Sequence, residues 1–592
     1  MKLLFLLALL VALSNAYKIL VYNSKYGHSH SNFMGRIADE LADAGHNVTS
    51  LIPVMRENMK DGTYKSNQII YVPAGEKTKK VAESMMAGGG MPYFEETFFS
   101  LKSAFVTGPA IGRMFSTQCE VTINHPGLIE KLRAEKYDVF LSESFDMCGI
   151  GMSGAIKPKS MIAVGAGTLF GFQYDEIGVP TMPSFNPSSY TTHLDPHSIV
   201  SRGWNLIGDW LFRRFFIHSR TEVEDVLRER FGQDYPSLQE LTSRTAYYFS
   251  NAEPLIDFAH PTLHKVIDIG GIGVKPAGKV SKEWEEILGR REKNVLFSFG
   301  SVAKSALLKP DMKRAILKTF QSMPEVTFIW KYEEPEDEFA IEAKKTTPNL
   351  VMSSWTPQSD LLNHPRLSAF VSHGGMGSVT ETASRGVPGL FVPLFGDQPR
   401  NAGMMEHNKA GKVFDKFDLD KSEILTAAIR DVLENPTYRT NAKRIAAMIQ
   451  NKPFGAREQL LKYVAFAAEF GPSPSLRPQS QDMTLIEYFN LDIIFVATAL
   501  VLLFAIVTLK ISPIVVAAWD RLVEVSLLSR VTMTMYGSST TGGHYYFIAT
   551  ATAGVAVILT VSLFSLISVV GDVNDMRRET LADMGEFKVG MK

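Results

Sequence analysis

Short apolar runs alternate with stretches of helical periodicity in two separate halves of this 592-residue chain. In the first half, residues 18–22 form an apolar run, and a loop of small and polar residues follows it. Phe33 and Ile37 then recur at helical spacing, and Gly45 fits the position that ends a helix. Residues 48–54 form the next apolar run. Such a strand–helix–strand unit predicts parallel strands, because parallel pairing needs a crossover of this length.

The same alternation is clearer in the second half of the chain. The predicted strands there comprise residues 294–299, 326–332, 349–352, 367–372, 389–394 and 411–414. Glycine-rich segments near residues 270–285 are typical of a hinge. We therefore expect an α/β fold with two doubly wound domains joined at that hinge.

The first residues predict entry into the secretory pathway. Residues 3–13 are apolar after Lys2, and small residues at 14–16 form a cleavage site. The mature chain is then expected to begin at Tyr17 on the lumenal side.

Cys119 and Cys148 can form a disulfide or remain two buried thiols, and the sequence leaves both open. With 61 basic and 62 acidic residues, the charge indicates no nucleic-acid partner.

The C-terminal region contains two long apolar runs. Residues 491–509 are long enough to span a bilayer, and Lys510, Arg521 and Arg530 suit a cytosolic flank. Residues 545–570 contain no charged side chain and form a second candidate span, with a membrane-associated hairpin as the alternative. The expected order is a signal peptide at 1–16, an N-terminal domain at 17–280, a C-terminal domain at 281–475, an anchor at 491–509 and a second apolar segment at 545–570.

The most informative motif begins at the end of the predicted strand 367–372. His373 and a run of glycines that includes Gly375 stand where this strand turns into a helix. Small residues let the backbone approach a diphosphate, and the helix N-terminus favours negative charge. His373 and Ser378 can add hydrogen-bond donors. The turn is therefore predicted to bind the diphosphate of a nucleotide.

Residues on both sides of this turn complete a candidate nucleotide-sugar site. Trp355 offers a flat face for a uracil ring, with Gln358 as a polar partner. Glu381, on the helix after the turn, can accept hydrogen bonds from both ribose hydroxyls. Asp397 and Gln398 follow a predicted strand end, which is the usual ligand crevice of such sheets, and suit the hydroxyls of a sugar.

This ordered set closely resembles the signature of the UDP-glycosyltransferase family, whose animal members include the UDP-glucuronosyltransferases. The resemblance implies the GT-B architecture, with two Rossmann-like domains. The C-terminal domain would bind the UDP-sugar, and the N-terminal domain would bind a small lipophilic acceptor. The UDP-sugar would be a co-substrate with no further cofactor. The family also implies a membrane protein of the endoplasmic reticulum that acts in detoxification, and self-association is left open.

The resemblance also assigns a catalytic pair. His30 matches the family's histidine and would be the general base that takes the acceptor's proton. The family orients this base with an aspartate. Here Glu143 stands in its place, and Asp146 is the alternative partner. The implied reaction inverts the anomeric carbon, and UDP departs against His373, Ser378 and Ser301 without a metal ion.

Several features depart from the family pattern or have a plainer reading. Gly377 replaces a usual asparagine, and His260 stands where glucuronosyltransferases carry an arginine before proline. UDP-glucose is therefore favoured slightly over UDP-glucuronic acid.

The Asp418–Asp420 pair has the spacing of a metal motif, but we interpret it as a helix cap. A catalytically silent, UDP-sugar-binding homologue is the alternative function.

An aromatic-rich stretch in the first half also has two readings. Its aromatic residues are Tyr93, Phe94, Phe98, Phe99 and Phe105. An ordinary core is the plainer interpretation. A lipophilic acceptor pocket is the sharper one, because such pockets are mostly apolar.

Overall fold

The protein is described by a computed structural model covering residues 16–535, except 58, 60, 61, 87–92, 98, 180 and 277. The predicted signal peptide, apart from Ala16, and the second apolar segment at 545–570 lie outside these described residues. The chain divides into a compact unit that ends at Thr484 and a second unit that begins at Leu485.

A seven-stranded parallel sheet forms the centre of the N-terminal domain. Its spatial order is β3-β2-β1-β4-β5-β6-β7. The strands are β1 Lys18–Tyr22, β2 Asn47–Pro53, β3 Gln68–Val72, β4 Val139–Glu143, β5 Ser160–Gly165, β6 Tyr247–Ser250 and β7 Val266–Asp268. Ile19 pairs with Val48 on one side and with Val139 on the other, and all three side chains are buried. Because both faces of the sheet are covered, its central strands are buried along nearly their whole length and are mostly apolar.

A six-stranded parallel sheet forms the centre of the C-terminal domain. Its spatial order is β10-β9-β8-β11-β12-β13. The strands are β8 Lys293–Ser298, β9 Val326–Lys331, β10 Leu350–Ser353, β11 Leu367–Ser372, β12 Gly389–Phe391 and β13 Gly411–Val413. The two doubly wound sheets confirm the predicted fold class. In each sheet the strand order reverses direction beside the first strand, β1 or β8. Folds of this kind bind ligands at that point.

Helices cover the faces of both sheets. Those of the first half are α1 His28–Asp43, α2 Glu76–Met86, α3 Gly108–Ile123, α4 Leu128–Ala134, α5 Cys148–Ile156, α6 Gly171–Glu176, α7 Ile199–Phe231 and α8 Leu238–Ser243, with a π-helical turn at Ser103–Thr107. Those of the second half are α9 Lys282–Gly289, α10 Pro310–Gln321, α11 Glu338–Thr346, α12 Gln358–Asn363, α13 Met376–Arg385, α14 Gln398–His407, α15 Ser422–Glu434, α16 Pro436–Gln450 and α17 Ala456–Phe470.

The chain start follows the predicted strand, loop and helix. Helix α1 begins at His28, which therefore opens the helix. The helix buries Phe33, Ile37 and neighbouring apolar side chains. Gly45 has a φ of +90°, a left-handed conformation that glycine adopts without a steric penalty. This geometry places His30 in the first turn of α1, next to the carboxyl end of the sheet.

The last helix of the folded unit returns to the N-terminal domain. By sequence, α17 falls within the predicted C-terminal domain at 281–475. Its buried side chains Leu460 and Val464 instead share a core cluster with Ile19 and Val139 of the N-terminal sheet. Packing thus assigns α17 to the N-terminal core. Without this helix, the apolar side chains of the first sheet that contact it would be exposed to water.

The Asp418–Asp420 pair does not cap a helix as we interpreted it. Lys421 occupies the N-cap position of α15, with no side-chain hydrogen bond to the helix. Asp418 instead pairs with Lys421 at 2.6 Å, between Oδ1 and Nζ. The interpretation was wrong because the helix begins two residues beyond the aspartates.

Cys119 and Cys148 form a disulfide between α3 and the start of α5, with their Cα atoms 5.5 Å apart. Both side chains are fully buried in the N-terminal core. The bridge closes a loop of 29 residues, and such a bond persists in an oxidising compartment. The alternative left open by the sequence, two buried thiols, does not occur in this structure.

Reduction of this disulfide is expected to lower the free energy of unfolding by about 3–4 kcal/mol, the value for a loop of this length. Urea denaturation with and without dithiothreitol measures the change as a lower midpoint. The double variant Cys119→Ala/Cys148→Ala serves as the control, since its midpoint should not respond to the reductant. An equal response in both proteins would contradict the prediction.

The second unit consists of two helices in its described part, α18 Leu485–Tyr488 and α19 Leu491–Met535. Helix α19 is long and apolar enough to cross a membrane over Leu491–Val525. The predicted anchor at 491–509 therefore lies inside a longer helix, which continues past Lys510 and Pro513.

Candidate functional site

The predicted base and its partner meet at the carboxyl end of the N-terminal sheet. His30 Nδ1 is hydrogen-bonded to Glu143 Oε1. The Glu143 side chain, at the end of β4, is only 2% exposed, whereas that of His30 is 25% exposed. Since Nδ1 is held by the carboxylate, the ring presents its Nε2 end for other partners. This is the orientation in which a neutral histidine can accept a proton.

Two aromatic residues that the sequence interpretation missed hold this pair. Tyr26 donates its hydroxyl to Glu143 Oε2 at 3.1 Å, so both carboxylate oxygens have a partner. The His30 ring lies 4.8 Å from the Tyr26 ring and 4.9 Å from the Phe145 ring, between centroids. Nothing in a loop of small and polar residues distinguished Tyr26. Phe145, two residues after Glu143, is a natural neighbour of the strand end.

Opposing effects set the pKa of His30. Burial lowers it, but the charge and hydrogen bond of Glu143 raise it, and Asp397 and Asp146 add to the rise. The net pKa lies above the usual value. His30 therefore gives up its proton at a higher pH than an isolated histidine, and the base is strong once neutral.

Asp146 has a different environment from Glu143. Its Oδ1 accepts a hydrogen bond from the Cys148 backbone N–H at 3.1 Å. Burial raises its pKa to about 7, against smaller lowering effects from hydrogen bonds that include one to Ser24. Of the two predicted partners, Glu143 is therefore the one that contacts the His30 ring.

The predicted diphosphate site contains two glycines at which a side chain would collide with the His373 imidazole. A Cβ on Gly300 would lie 2.6 Å from His373 Cε1, and one on Gly375 would lie 2.6 Å from His373 Nε2. Gly300 also has a φ of +83°. The imidazole is thus enclosed between the loop after β8 and the N-terminus of α13. Ser301 lies exposed directly after Gly300.

His373 is kept uncharged by its surroundings. Burial lowers its pKa to about 4, and the positive charge of Lys331 contributes to the shift. Within the described part of the chain, its buried Nδ1 has no hydrogen-bond partner. A neutral ring that keeps its proton on Nε2 can donate a hydrogen bond to an oxygen that lies between Gly300 and Gly375. This chemistry suits a phosphate oxygen.

The predicted ribose and base contacts are linked to one another. Gln358 Nε2 donates to Glu381 Oε2 at 2.7 Å and lies 3.3 Å from Ser378 Oγ. Burial is the main cause that raises the pKa of Glu381. Trp355 is 72% exposed, and the Lys331 ammonium lies 5.7 Å from its ring centroid. An open indole face fits a stacked base, and the Glu381 carboxylate can accept hydrogen bonds from ribose hydroxyls.

Asp397 and Gln398 take different positions at the end of β12. Asp397 Oδ2 accepts from Asn401 Nδ2 at 2.7 Å, and burial raises the pKa of Asp397. A Cβ on Gly167, in the N-terminal domain, would lie 3.6 Å from Asp397 Oδ2. Asp397 therefore lies at the boundary between the domains, where it attracts the charge of His30.

Gln398 uses its side-chain oxygen locally. Its Oε1 accepts hydrogen bonds from the backbone N–H groups of Leu394 at 2.8 Å and Phe395 at 3.1 Å. The side chain therefore supports its own loop.

The segment 257–260, in which His260 stands in place of the family's arginine, is held by contacts with other protein groups. His260 Nδ1 lies 2.7 Å from the Phe258 carbonyl oxygen, and the ring meets Tyr174 edge-on. Arg400 of α14 pairs with Asp257 Oδ1 at 2.6 Å, and both side chains are buried. Gly377, the other departure, faces open space, since an added Cβ would meet no atom within 4 Å.

Metal ligands are not assembled in the part of the chain that the structure covers. Among the described residues, no three His, Cys, Asp or Glu side chains are grouped so that they could hold a metal ion. Positive groups near the candidate site include Lys331, Arg385 and Arg400, together with the N-terminus of α13.

Solved structures of glycosyltransferases share this architecture. The calicheamicin glycosyltransferase CalG4 matches with a TM-score of 0.51 and 14% identity, covering 77% of this chain and 100% of its own. Phytolacca americana UGT2, solved with UDP-2-fluoro-glucose and pterostilbene, matches with a TM-score of 0.52 and 16% identity, covering 76% and 99%. These similarities identify the fold as GT-B.

Sequence comparison extends the likeness to animal proteins. Caenorhabditis elegans ugt-48 is 29% identical over 503 residues, covering 85% of this chain and 95% of that protein. UDP-glucuronosyltransferase 3A2 of Homo sapiens is 28% identical over 496 residues, covering 82% and 90%. The family profile "UDP-glucoronosyl and UDP-glucosyl transferase" matches residues 17–525. The chain is therefore a member of the UDP-glycosyltransferase family.

Proposed function

We propose that this protein transfers glucose or glucuronic acid from a UDP-sugar to a hydroxyl of a small lipophilic acceptor. His30 is the general base, and the anomeric carbon is inverted. The reaction uses the UDP-sugar as co-substrate, with no metal ion and no further cofactor. The observation that carries the proposal is the His30–Glu143 hydrogen bond beside Asp397.

The proposed chemistry follows from the orientation of these groups. The acceptor O–H passes its proton to His30 Nε2, and Glu143 stabilises the resulting imidazolium. The acceptor oxygen forms a bond to the anomeric carbon as the bond from that carbon to UDP breaks. An α-linked donor thus gives a β-linked product. The N-terminus of α13, His373, Ser378 and Ser301 receive the charge that develops on UDP.

Donor choice depends on whether a cation faces the sugar. A glucuronic acid carboxylate is best held by a bidentate arginine. His260 is engaged with the Phe258 carbonyl, and Arg400 is paired with Asp257. Neither side chain is poised for a sugar carboxylate, which favours UDP-glucose as the donor.

The proposed location is a membrane of the endoplasmic reticulum, with the catalytic unit on the lumenal side. The buried disulfide fits an oxidising lumen, and helix α19 supplies an anchor. A role in detoxification follows from the activity of the family on lipophilic compounds.

The test of this function is a transfer assay on the full chain in detergent. A simple phenol is incubated with UDP-glucose or UDP-glucuronic acid, with and without EDTA, and mass spectrometry detects the glycoside. We expect a β-hexoside that survives EDTA. Donor binding without product over a broad acceptor panel would favour the silent homologue, and a glucuronide would overturn the donor assignment.

Trp355→Ala is expected to weaken UDP binding by about 1–3 kcal/mol, the cost of losing one base–aromatic stack. This corresponds to a roughly 5- to 150-fold rise in Kd, measured by calorimetry. Trp204→Ala, which removes an exposed indole of the N-terminal domain, is the control and should leave Kd unchanged. Equal affinities in all three proteins would contradict the assignment of Trp355 to uracil.

A further inference from the structure

The first half of helix α7 is apolar on both of its faces. Its inner face buries Leu211, Phe212, Phe215 and Phe216 in the N-terminal domain. Its outer face exposes Ile199, Val200, Trp204, Leu206, Ile207, Trp210 and Ile217. Trp204 is 58% exposed and Trp210 is 50% exposed. A helix that is apolar all round is normally buried or in contact with lipid.

The second half of the same helix is an internal reference. Beyond Ile217, the residues exposed to solvent are polar or charged and include Thr221, Asp225, Glu229 and Arg230. Its inner face still buries Val223 and Leu227. The exposed side of the same helix therefore changes from apolar to polar along its length. The buried side is apolar in both halves, so packing against the domain does not explain the change.

The segment before α3 extends this apolar surface. Leu101, Phe105 and Val106 are exposed around the π-helical turn. The Phe105 ring lies 6.2 Å from the Trp210 ring, and Phe99 lies 5.9 Å from Trp204. The aromatic-rich stretch thus divides: Phe94 is buried in the C-terminal core, whereas Phe99 and Phe105 contact α7. Phe98 lies outside the described residues. We call the exposed apolar residues of α7 and of this turn the outer apolar face.

The charges on the outer apolar face have one sign. The charged residues in the first half of α7 are Arg202, Asp209, Arg213 and Arg214. Asp209 is buried and accepts from Arg213 Nε at 2.6 Å, and Arg213 also pairs with Asp175. The charges left for the outer apolar face in this half of α7 are those of Arg202 and Arg214. The Arg214 guanidinium lies over Phe105, 5.0 Å from the ring centroid. Arginines on an apolar surface can extend to lipid phosphates while their stems remain in apolar contact.

We propose that the outer apolar face lies in the interfacial region of a phospholipid bilayer. Soluble monomers rarely expose so large an apolar surface. Exposed tryptophans and cationic arginines are the composition of an interfacial helix. The same chain contains a helix able to span a membrane, so a bilayer is available to every copy of the protein.

This surface is connected to the candidate active site by a row of aromatic contacts. Successive ring centroids are 4.8–6.1 Å apart along the path Phe99, Tyr190, Phe212, Phe216, Phe145 and His30. A consequence rests on the proposed function: acceptors dissolved in the bilayer meet the protein at the face that leads to the base. Trp210→Gln should then raise KM for a bilayer-partitioning phenol more than for a water-soluble one.

The docking itself is tested without any assay of activity. The chain's two cysteines are joined in the disulfide, so a single cysteine added as Ile207→Cys can carry one NBD fluorophore. The full chain is reconstituted in vesicles of phosphatidylcholine and phosphatidylserine. We expect blue-shifted NBD emission that nitroxide-labelled phospholipid quenches and aqueous iodide does not.

Asp225→Cys is the matched control, because it lies on the same side of α7 about five helical turns further along. Its NBD emission should remain water-like and be quenched by iodide. Water-like emission at both positions would overturn the proposal. Blue-shifted emission at position 207 that nitroxide lipid does not quench would also overturn it and assign the face to a second copy of the chain. Circular dichroism of each labelled protein verifies that it is folded.

Discussion

Replacing His30 with alanine is expected to lower kcat/KM for glycoside formation by about two to four orders of magnitude. The residue is in the first turn of α1, and its Nδ1 is already held by the buried Glu143. Removing the ring leaves no group at that position to take the acceptor's proton. Quantitative mass spectrometry of the glycoside, under initial-rate conditions, measures the loss.

The control for this variant is His28→Ala, which removes the histidine that opens the same helix. It should retain activity, and both variants should bind UDP as the unmodified chain does. A His30→Ala protein that keeps its transfer rate would contradict the assignment of the base, whichever donor the protein uses.

The pair also predicts a shift in pH dependence. The pKa of His30 is above its usual value because Glu143, with Asp397 and Asp146, outweighs the lowering effect of burial. In Glu143→Gln the burial remains and the largest raising contribution is lost, so the pKa falls. The acid limb of kcat/KM, where His30 becomes protonated, should move to lower pH, and the plateau should be lower. An unchanged limb would mean that another group titrates there.

Replacing Arg400 with methionine is expected to destabilise the folded unit by about 3–5 kcal/mol, the usual cost of breaking a buried ion pair. Its partner Asp257 would remain buried with an uncompensated charge, since their atoms lie 2.6 Å apart and both are almost fully enclosed. Arg400 also donates to the Pro187 carbonyl at 3.1 Å, so the substitution removes contacts between the two domains. Urea denaturation measures the loss.

A double-mutant cycle separates the charge from the volume change. Arg400→Met/Asp257→Asn removes both charges and should recover much of the lost stability. If the double variant is as unstable as the sum of the two single variants, the two side chains are not coupled and the interpretation fails.

Local patterns in the sequence were sufficient for the elements that form the site. The strand, loop and helix around His30 follow from periodicity and from Gly45, which has a φ of +90°. The loop after β11 could be predicted because its glycines directly follow a strand. Small residues there let the backbone approach a ligand closely, which is a steric property of neighbouring residues. Such features depend on residues that are close together in the chain, and the two sheets follow from their repetition.

Tertiary structure decided which distant groups meet. The sequence offered both Glu143 and Asp146 as partners of His30, and only the direction of each side chain at the end of β4 separates them. The same holds for α17, which packs on the first sheet although it ends the second domain. It also holds for Arg400 and Asp257, which are far apart in sequence.

The sequence alone thus determined the fold class, the family and the order of the motifs. The structure decided the contacts of Glu143, the disulfide and the exposed outer face of α7. The physical reason is that periodicity records which side of an element is apolar, whereas a contact between distant residues depends on how whole elements pack. For α7, only the packed structure shows which apolar side chains are covered by protein and which remain exposed.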